Sequence, residues 1–254
     1  MSTLPLTPSF RLDGRRALVT GASKGIGLAA AAALAQAGAA VTLVARNETA
    51  LAEAGAAIRA FGGTADWHAA DIAAAEAAPR LAALGAFDIL VNNAGISRPS
   101  AFLDTKAGDF DTVMSTNVRA AFFLAQAVAR RMSERGRGGS IITMSSQMGH
   151  VSGPKRSVYS ASKFAVEGMT RAMAIELGPH DIRVNTICPT FVETELTRSS
   201  LADREFHDWV MAKIKLGRLA RLQDLMGPVV FLASDAAAMI TGASLMVDGG
   251  WTAG

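Results

Sequence analysis

Short apolar runs alternate along the chain with longer stretches in which alanine and leucine recur at helical spacing. Residues 16–20 form an apolar run between Gly14 and Gly21 and predict a buried strand. Residues 25–37 then carry Ala and Leu with helical periodicity and stop at Gly38, which predicts a helix. The same reading gives further strands at 41–44, 65–69, 87–91, 140–144, 182–187 and 244–247. Helices are predicted at 47–60, 72–84, 106–135 (one or two), 156–177 and 222–233. Asn47 is placed as an N-cap, with Gly62 and Gly63 beyond the end of its helix. Residues 190–220 show no clean period and are expected to be irregular, a segment that moves as a lid.

Short strands alternating with longer helices imply βαβ units. The strands read as continuous apolar runs, as those of a parallel sheet covered on both faces do. No repeat, linker or low-complexity stretch marks a boundary. Residues 1–254 are therefore expected to form one doubly wound α/β domain of Rossmann type, with a mostly parallel seven-stranded sheet and residues 1–12 as a tail.

Composition narrows the class further. Half of the 254 residues are hydrophobic and 19% are charged, too apolar for disorder, and a chain of this length buries roughly three-quarters of its unfolded surface. The net charge of +3 is small and mixed in sign, so no nucleic-acid partner is expected. The one dense cationic run, Arg130, Arg131, Arg135 and Arg137, reads as the C-terminal end of a helix. No stretch reaches the ~18–20 apolar residues of a membrane span, and residues 1–10 do not resemble a targeting segment. A cytoplasmic protein with no membrane partner is the expectation. Cys188 is the single cysteine, which excludes a disulfide framework and argues against a Cys-based metal site. The four histidines look too scattered to form a metal cluster, and no metal is expected.

The first strand runs directly into Thr20-Gly-Ala-Ser-Lys-Gly-Ile-Gly27. Gly21, Gly25 and Gly27, with Ile26 inside the turn, let the backbone bend tightly and approach a pyrophosphate. The helix that follows offers N–H groups and a positive dipole end to that anion. The turn lacks the Gly-Lys-Ser/Thr ending of a P-loop, which disfavours nucleotide hydrolysis. An acid at the end of the second strand would hold a ribose 2′-hydroxyl, but the chain has Ala45-Arg46-Asn47 there. Arg46, aided by Lys24 and Ser23, suits a 2′-phosphate instead, so NADP(H) is favoured.

Tyrosine occurs once, in Tyr159-Ser-Ala-Ser-Lys163 at the start of a predicted helix. The i, i+4 spacing puts phenol and ammonium on one face, about 6 Å apart. A cation so placed is expected to lower the phenol pKa. Ser145 and Ser146 close the strand before it, and Asn117 lies within the long helix upstream. Cys188 reads as a small strand residue, with no base evident nearby.

Taken together, the glycine turn, Asn92-Asn-Ala-Gly95, Asn117, Ser146 and Tyr159-x-x-x-Lys163 resemble the motifs of the short-chain dehydrogenase/reductase family, in its form of about 250 residues. The resemblance runs from Arg11 to Val247-Asp-Gly-Gly250. In that family the serine stands 13 residues before the tyrosine, which selects Ser146. The resemblance implies that Tyr159 is the general acid and base, that Ser146 bonds the reacting oxygen, and that Lys163 holds the nicotinamide ribose and tunes the phenol. Asn117 would hold a water that carries protons to the lysine.

It further implies cofactor contacts from Asp71 and Ile72 at the adenine and from Asn93, Ala94 and Gly95 along the cofactor. Pro189, Val192 and Thr194 would stand near the nicotinamide. The family usually has Pro-Gly where this chain has Pro189-Thr190, so the extra side chain is expected to narrow that pocket or shift the loop. The substrate end would be built from Gln147, His150, Phe191, Leu196 and Trp209, facing a small carbonyl or alcohol with an apolar flank. A homotetramer is implied too. An NADP(H)-dependent carbonyl reductase for a ketone, 3-oxoacyl compound, sugar or polyol is the leading expectation. An NADP(H)-sensing regulator without turnover, or an NAD-linked sugar or polyol dehydrogenase, are the alternatives. An NAD-linked epimerase or dehydratase would be expected to have a longer chain.

Overall fold

A computed structural model describes residues 4–254, apart from the side chains of Glu195, Leu196 and Ser199. Strands β1 (Arg16–Thr20), β2 (Ala40–Ala45), β3 (Thr64–Ala69), β4 (Ile89–Asn92), β5 (Gly139–Met144), β6 (Ile182–Pro189) and β7 (Ser244–Val247) pair in the order β3-β2-β1-β4-β5-β6-β7. Every pair in this sheet is parallel, where a mostly parallel sheet was expected. The chain winds outward from β1 to β3, then returns to β4 and winds the other way. The carboxyl ends of β1 and β4 therefore border a switch point, where such sheets bind ligands.

Nine helices are described: α1 (Gly25–Gln36), α2 (Glu48–Ala60), α3 (Ala77–Ala83), α4 (Ala107–Met114), α5 (Ala121–Arg135), α6 (Ser157–Leu177), α7 (Glu195–Leu201), α8 (Arg204–Lys213) and α9 (Leu222–Ala233). Successive strand residues point to opposite faces. Val19 and Ile142 thus join the core under α1, α2 and α9, while Leu18 and Ile141 join the one under α3, α5 and α6. Among the described residues, no helix is long and apolar enough to cross a membrane.

Three segments differ from expectation. α3 begins at Ala77 because the Asp71 carboxylate accepts the Ala73 amide proton (2.9 Å) and holds 71–76 in turns. The long helix of 106–135 is interrupted by a π-helical segment, Ser115–Ala120, between α4 and α5. Residues 190–220 are not irregular throughout. They hold α7, opened by a Thr194–Thr197 capping box, and α8, capped by Asp203, which accepts from the Glu205 and Phe206 amides.

Candidate active site

Thr20, fully buried at the end of β1, organises the switch point. Its hydroxyl oxygen accepts the amide protons of Asn93 (3.0 Å) and Ala94 (3.1 Å). In return Asn93 Nδ2 donates to the Thr20 carbonyl at 2.9 Å. The glycine turn and the loop after β4 are thus one hydrogen-bonded unit. In the sequence Thr20 is only the first residue of the glycine motif, and the family resemblance implies a cofactor contact for Asn93. Asn93 spends its amide on the protein, and a buried polar residue closing an apolar strand was the available signal.

A Cβ at Gly27 would overlap the Gly21 carbonyl oxygen and the Asn93 side chain, so only glycine fits. Gly21 and Gly25 have left-handed φ values of 65° and 58°. A Cβ at Gly25 would meet only Thr194 Cγ2, at 3.8 Å. α1 has no side-chain cap and no acid in its first turn. Its N-terminal end thus faces a bay bounded by Thr194, the chemistry and room that a pyrophosphate requires. The Ala22 amide donates to the Val44 carbonyl (3.1 Å), which brings the end of β2, and exposed Arg46 after it, to the same rim as Ser23 and Lys24. Asp71 is exposed beyond β3, with Ile72 beside it. These residues fit a dinucleotide.

Ser146 leaves β5 in extended conformation and is buried. Its hydroxyl donates to Gln147 Oε1 (2.6 Å) and accepts from the Met148 amide (3.1 Å). Tyr159 lies in the first turn of α6, with Lys163 one turn on. Lys163 Nζ stands 5.5 Å from the phenol ring centre and donates to the Met144 carbonyl at 2.7 Å. Burial lowers the Lys163 pKa to about 8, opposed by the charges of Cys188 and Glu167. The Tyr159 pKa is raised, not lowered as the spacing suggested. Burial dominates, and the opposition comes from a Ser146 hydrogen bond and Arg156 rather than from Lys163.

Asn117, in the π-helical segment, accepts from the Ile96 amide (2.8 Å) and donates to the Ile96 carbonyl (2.9 Å) and Ser162 hydroxyl (3.1 Å). Both amide protons are spent on tying the β4 loop to α6. A proton-carrying water at this residue is left only acceptor atoms.

Aromatic rings build the other wall. Trp251 meets Trp209 edge-on, with centroids 5.2 Å apart, and lies 5.8 Å from Phe191. Phe206 and Trp209 stack at 5.6 Å, and Tyr159 packs against the same cluster. Trp251, three residues before Gly254, had no local signal in the sequence. Leu196, expected at the substrate, lies outside the described side chains. Gln147 is buried and bound to Ser146, whereas the His150 side chain is a quarter exposed. Thr190 is buried, its amide donating to the Val247 carbonyl (3.2 Å), and its hydroxyl has no protein partner among the described residues. Cys188 does have a base nearby, contrary to expectation: His150 Nε2 is 3.5 Å from its sulfur. Burial, and then the charge of Glu167, push the thiol up to about 12.

The fold and the cluster at its switch point are those of a nicotinamide-dependent oxidoreductase. A sequence profile described as Enoyl-(Acyl carrier protein) reductase matches residues 21–252. Gluconate 5-dehydrogenase of Gluconobacter oxydans is 42% identical over 248 residues, covering 96% of each chain. L-rhamnose 1-dehydrogenase (NAD(P)(+)) of Azotobacter vinelandii is 42% identical over 94% of this chain and 97% of its own. The crystal structure of a gluconate 5-dehydrogenase from Burkholderia cenocepacia, in complex with NADP and tartrate, superposes with a TM-score of 0.92 at 39% identity, over 96% of this chain and 98% of that one. The chain belongs to the short-chain dehydrogenase/reductase family.

Proposed function

We propose that this protein interconverts a ketone and a secondary alcohol on a small polyhydroxylated substrate, a sugar, sugar acid or polyol, using NADP(H). The observation that carries the reading is the Ser146–Tyr159–Lys163 cluster, with Phe191, Phe206, Trp209 and Trp251 packed together beside it and the polar Gln147 and His150 in the turn that follows Ser146. Relatives along the whole chain that act on gluconate and rhamnose support the substrate class.

When bound, the reduced nicotinamide supplies a hydride to the carbonyl carbon. Tyr159 donates its proton to the carbonyl oxygen, and the raised pKa keeps that proton available at neutral pH. Ser146 turns its hydroxyl from Gln147 to the same oxygen and stabilises the charge that develops there. Lys163, whose ammonium donates to the Met144 carbonyl, would hold the ribose hydroxyls with its remaining protons. Asn93, Ala94, Gly95, Pro189, Val192 and Thr194 line the cofactor path, with Asp71 and Ile72 at the adenine end and Arg46, Lys24 and Ser23 at the 2′-phosphate.

Initial rates with hydroxylated ketones, ketoaldonates, polyols and 3-oxoacyl thioesters, with each nicotinamide cofactor, test this reading. Turnover of a hydroxylated ketone or its alcohol with NADP(H) is expected; activity confined to 3-oxoacyl thioesters overturns the substrate class. Ala45→Asp with Arg46→Ile is expected to move the preference toward NAD(H) by at least tenfold, since it supplies a 2′-hydroxyl acceptor and removes a phosphate donor. An unchanged preference removes Arg46 from that role. The related rhamnose dehydrogenase uses either cofactor by its name, which makes this comparison decisive.

The same reading makes the protein a homotetramer. α4, α5 and α6 carry exposed Phe110, Phe122, Phe123 and Phe164, and an apolar groove runs between Met114, Val118, Phe122 and Met169. A second copy of the chain covers this surface.

A further inference from the structure

We propose that His150, Glu167 and Cys188 form a binding site for a zinc-class divalent cation directly behind Lys163. The three residues come from different elements: the turn after β5, α6 one turn beyond Lys163, and β6. His150 Nε2 lies 3.5 Å from Cys188 Sγ and 3.6 Å from Glu167 Oε2, and Sγ lies 3.3 Å from Glu167 Oε1. Tetrahedral zinc holds sulfur at about 2.3 Å and nitrogen or oxygen at about 2.0–2.2 Å, so its ligand atoms stand about 3.3–3.6 Å from one another. Each of these pairs already stands at that spacing, with the two Glu167 oxygens dividing the contacts, Oε2 toward His150 and Oε1 toward Cys188. With one donor atom taken from each residue, all three lie within 4.8 Å of one another.

The donor set selects the ion. A thiolate, an imidazole and a carboxylate suit zinc and its borderline neighbours, whereas magnesium and calcium require oxygen alone. The carboxylate is oriented from behind: Glu167 Oε2 accepts from the Thr186 hydroxyl at 3.1 Å and the Ser244 hydroxyl at 2.5 Å. Supporting bonds of this kind fix a metal ligand in place.

Charge points the same way. Glu167 is 2% exposed, and among the described residues the one ion-pair partner within reach of its carboxylate is His150. Lys163 directs its ammonium to the Met144 carbonyl instead. Burying a carboxylate is costly, and a divalent ion in contact with it offsets that cost. On binding, the metal–sulfur bond replaces the Cys188 S–H bond, and the proton goes to solvent. The His150 side chain is a quarter exposed, so water can reach the site and complete the coordination. The ion would staple α6 to the ends of β5 and β6.

Chelator-stripped, untagged protein titrated with Co2+ and then Zn2+ tests the assignment. Cobalt is expected to saturate at one ion per chain with a sulfur-to-cobalt charge-transfer band. Because Cys188 is the only cysteine, that band can arise nowhere else. Zinc is expected to abolish the band and to raise the melting midpoint by about 5 °C at concentrations well above its dissociation constant. Cys188→Ser is expected to lose the band, and His150→Gln and Glu167→Gln to weaken binding at least tenfold. Absence of saturable uptake, uptake without the band, or affinity unchanged in His150→Gln overturns the site. If Cys188→Ser fails to fold, the cobalt spectrum of the native chain still decides.

Discussion

Packed against the cluster of Met148, Val210, Ile214 and Trp251, the Tyr159 phenol is harder to ionise than in water, and the Ser146 hydrogen bond and the Arg156 charge only partly offset this. Reduction needs the proton on the phenol and oxidation needs it off. At saturating substrate and cofactor, the oxidative rate is therefore expected to climb from pH 7 to pH 10, while the reductive rate does not rise. A reductive rate that increases across that range would contradict the acid role. Tyr159→Phe is expected to lower kcat by at least a thousandfold with cofactor affinity kept within a few-fold, as measured by fluorescence titration.

Lys163 obeys a different sign. Its folded pKa of about 8 lies below the ordinary 10.5, so between those values the unfolded chain holds the proton that the folded chain has lost. Its contribution to stability therefore rises with pH across that window, and below it the cost of burying the ammonium is fully present. The Tyr159–Lys163 pairing was legible from spacing alone. The direction of the tyrosine shift was not, because burial comes from a cluster that includes Val210, Ile214 and Trp251, distant in sequence. Nor was the approach of His150 to Cys188, which the pairing of β5 with β6 brings about across 38 residues.

Among the elements, α8 shows what the sequence carried and what obscured it. Phe206, Trp209, Val210 and Ile214 stand at helical spacing, and Asp203 precedes them as a cap, yet Arg204, His207, Asp208 and Lys213 interleave and blur the period. The two-turn length of α7 and α8's single apolar face made the stretch look like a loop. The cap matters to function because α8 presents Phe206 and Trp209 to the site. Asp203→Ala is expected to cost about 1 kcal/mol of local stability, to speed amide exchange in α8, and to raise substrate KM several-fold with less change in kcat. An unchanged KM together with faster exchange would separate α8 from substrate binding. The boundaries of α3 were misread for a simpler reason: its alanines suit a helix from residue 72, but the Asp71 side chain captures the Ala73 amide first.

For the whole molecule, the alternation of apolar strands and amphipathic helices made the parallel sheet and its order of elements readable, because each strand is buried on both faces. The surface that would carry the proposed association was not, since the pattern leaves open whether Phe110, Phe122, Phe123 and Phe164 pack inward or toward a second copy, and the fold leaves them exposed. Phe122→Asp is expected to reduce the mass seen by light scattering from tetramer to dimer. A mass unchanged by this variant removes the groove from the interface, and a monomeric parent protein removes the assembly.

The reversal of winding beside β1 also governs how the polypeptide acquires its shape. Ala17 pairs with Ile89, so the central seam of the sheet joins distant stretches of backbone and cannot close until the fourth strand has been synthesised. The first half waits with the unsatisfied side of β1 open. That interval is when this protein is most exposed to sticking to its neighbours, and slowing synthesis before residue 92 would lengthen it.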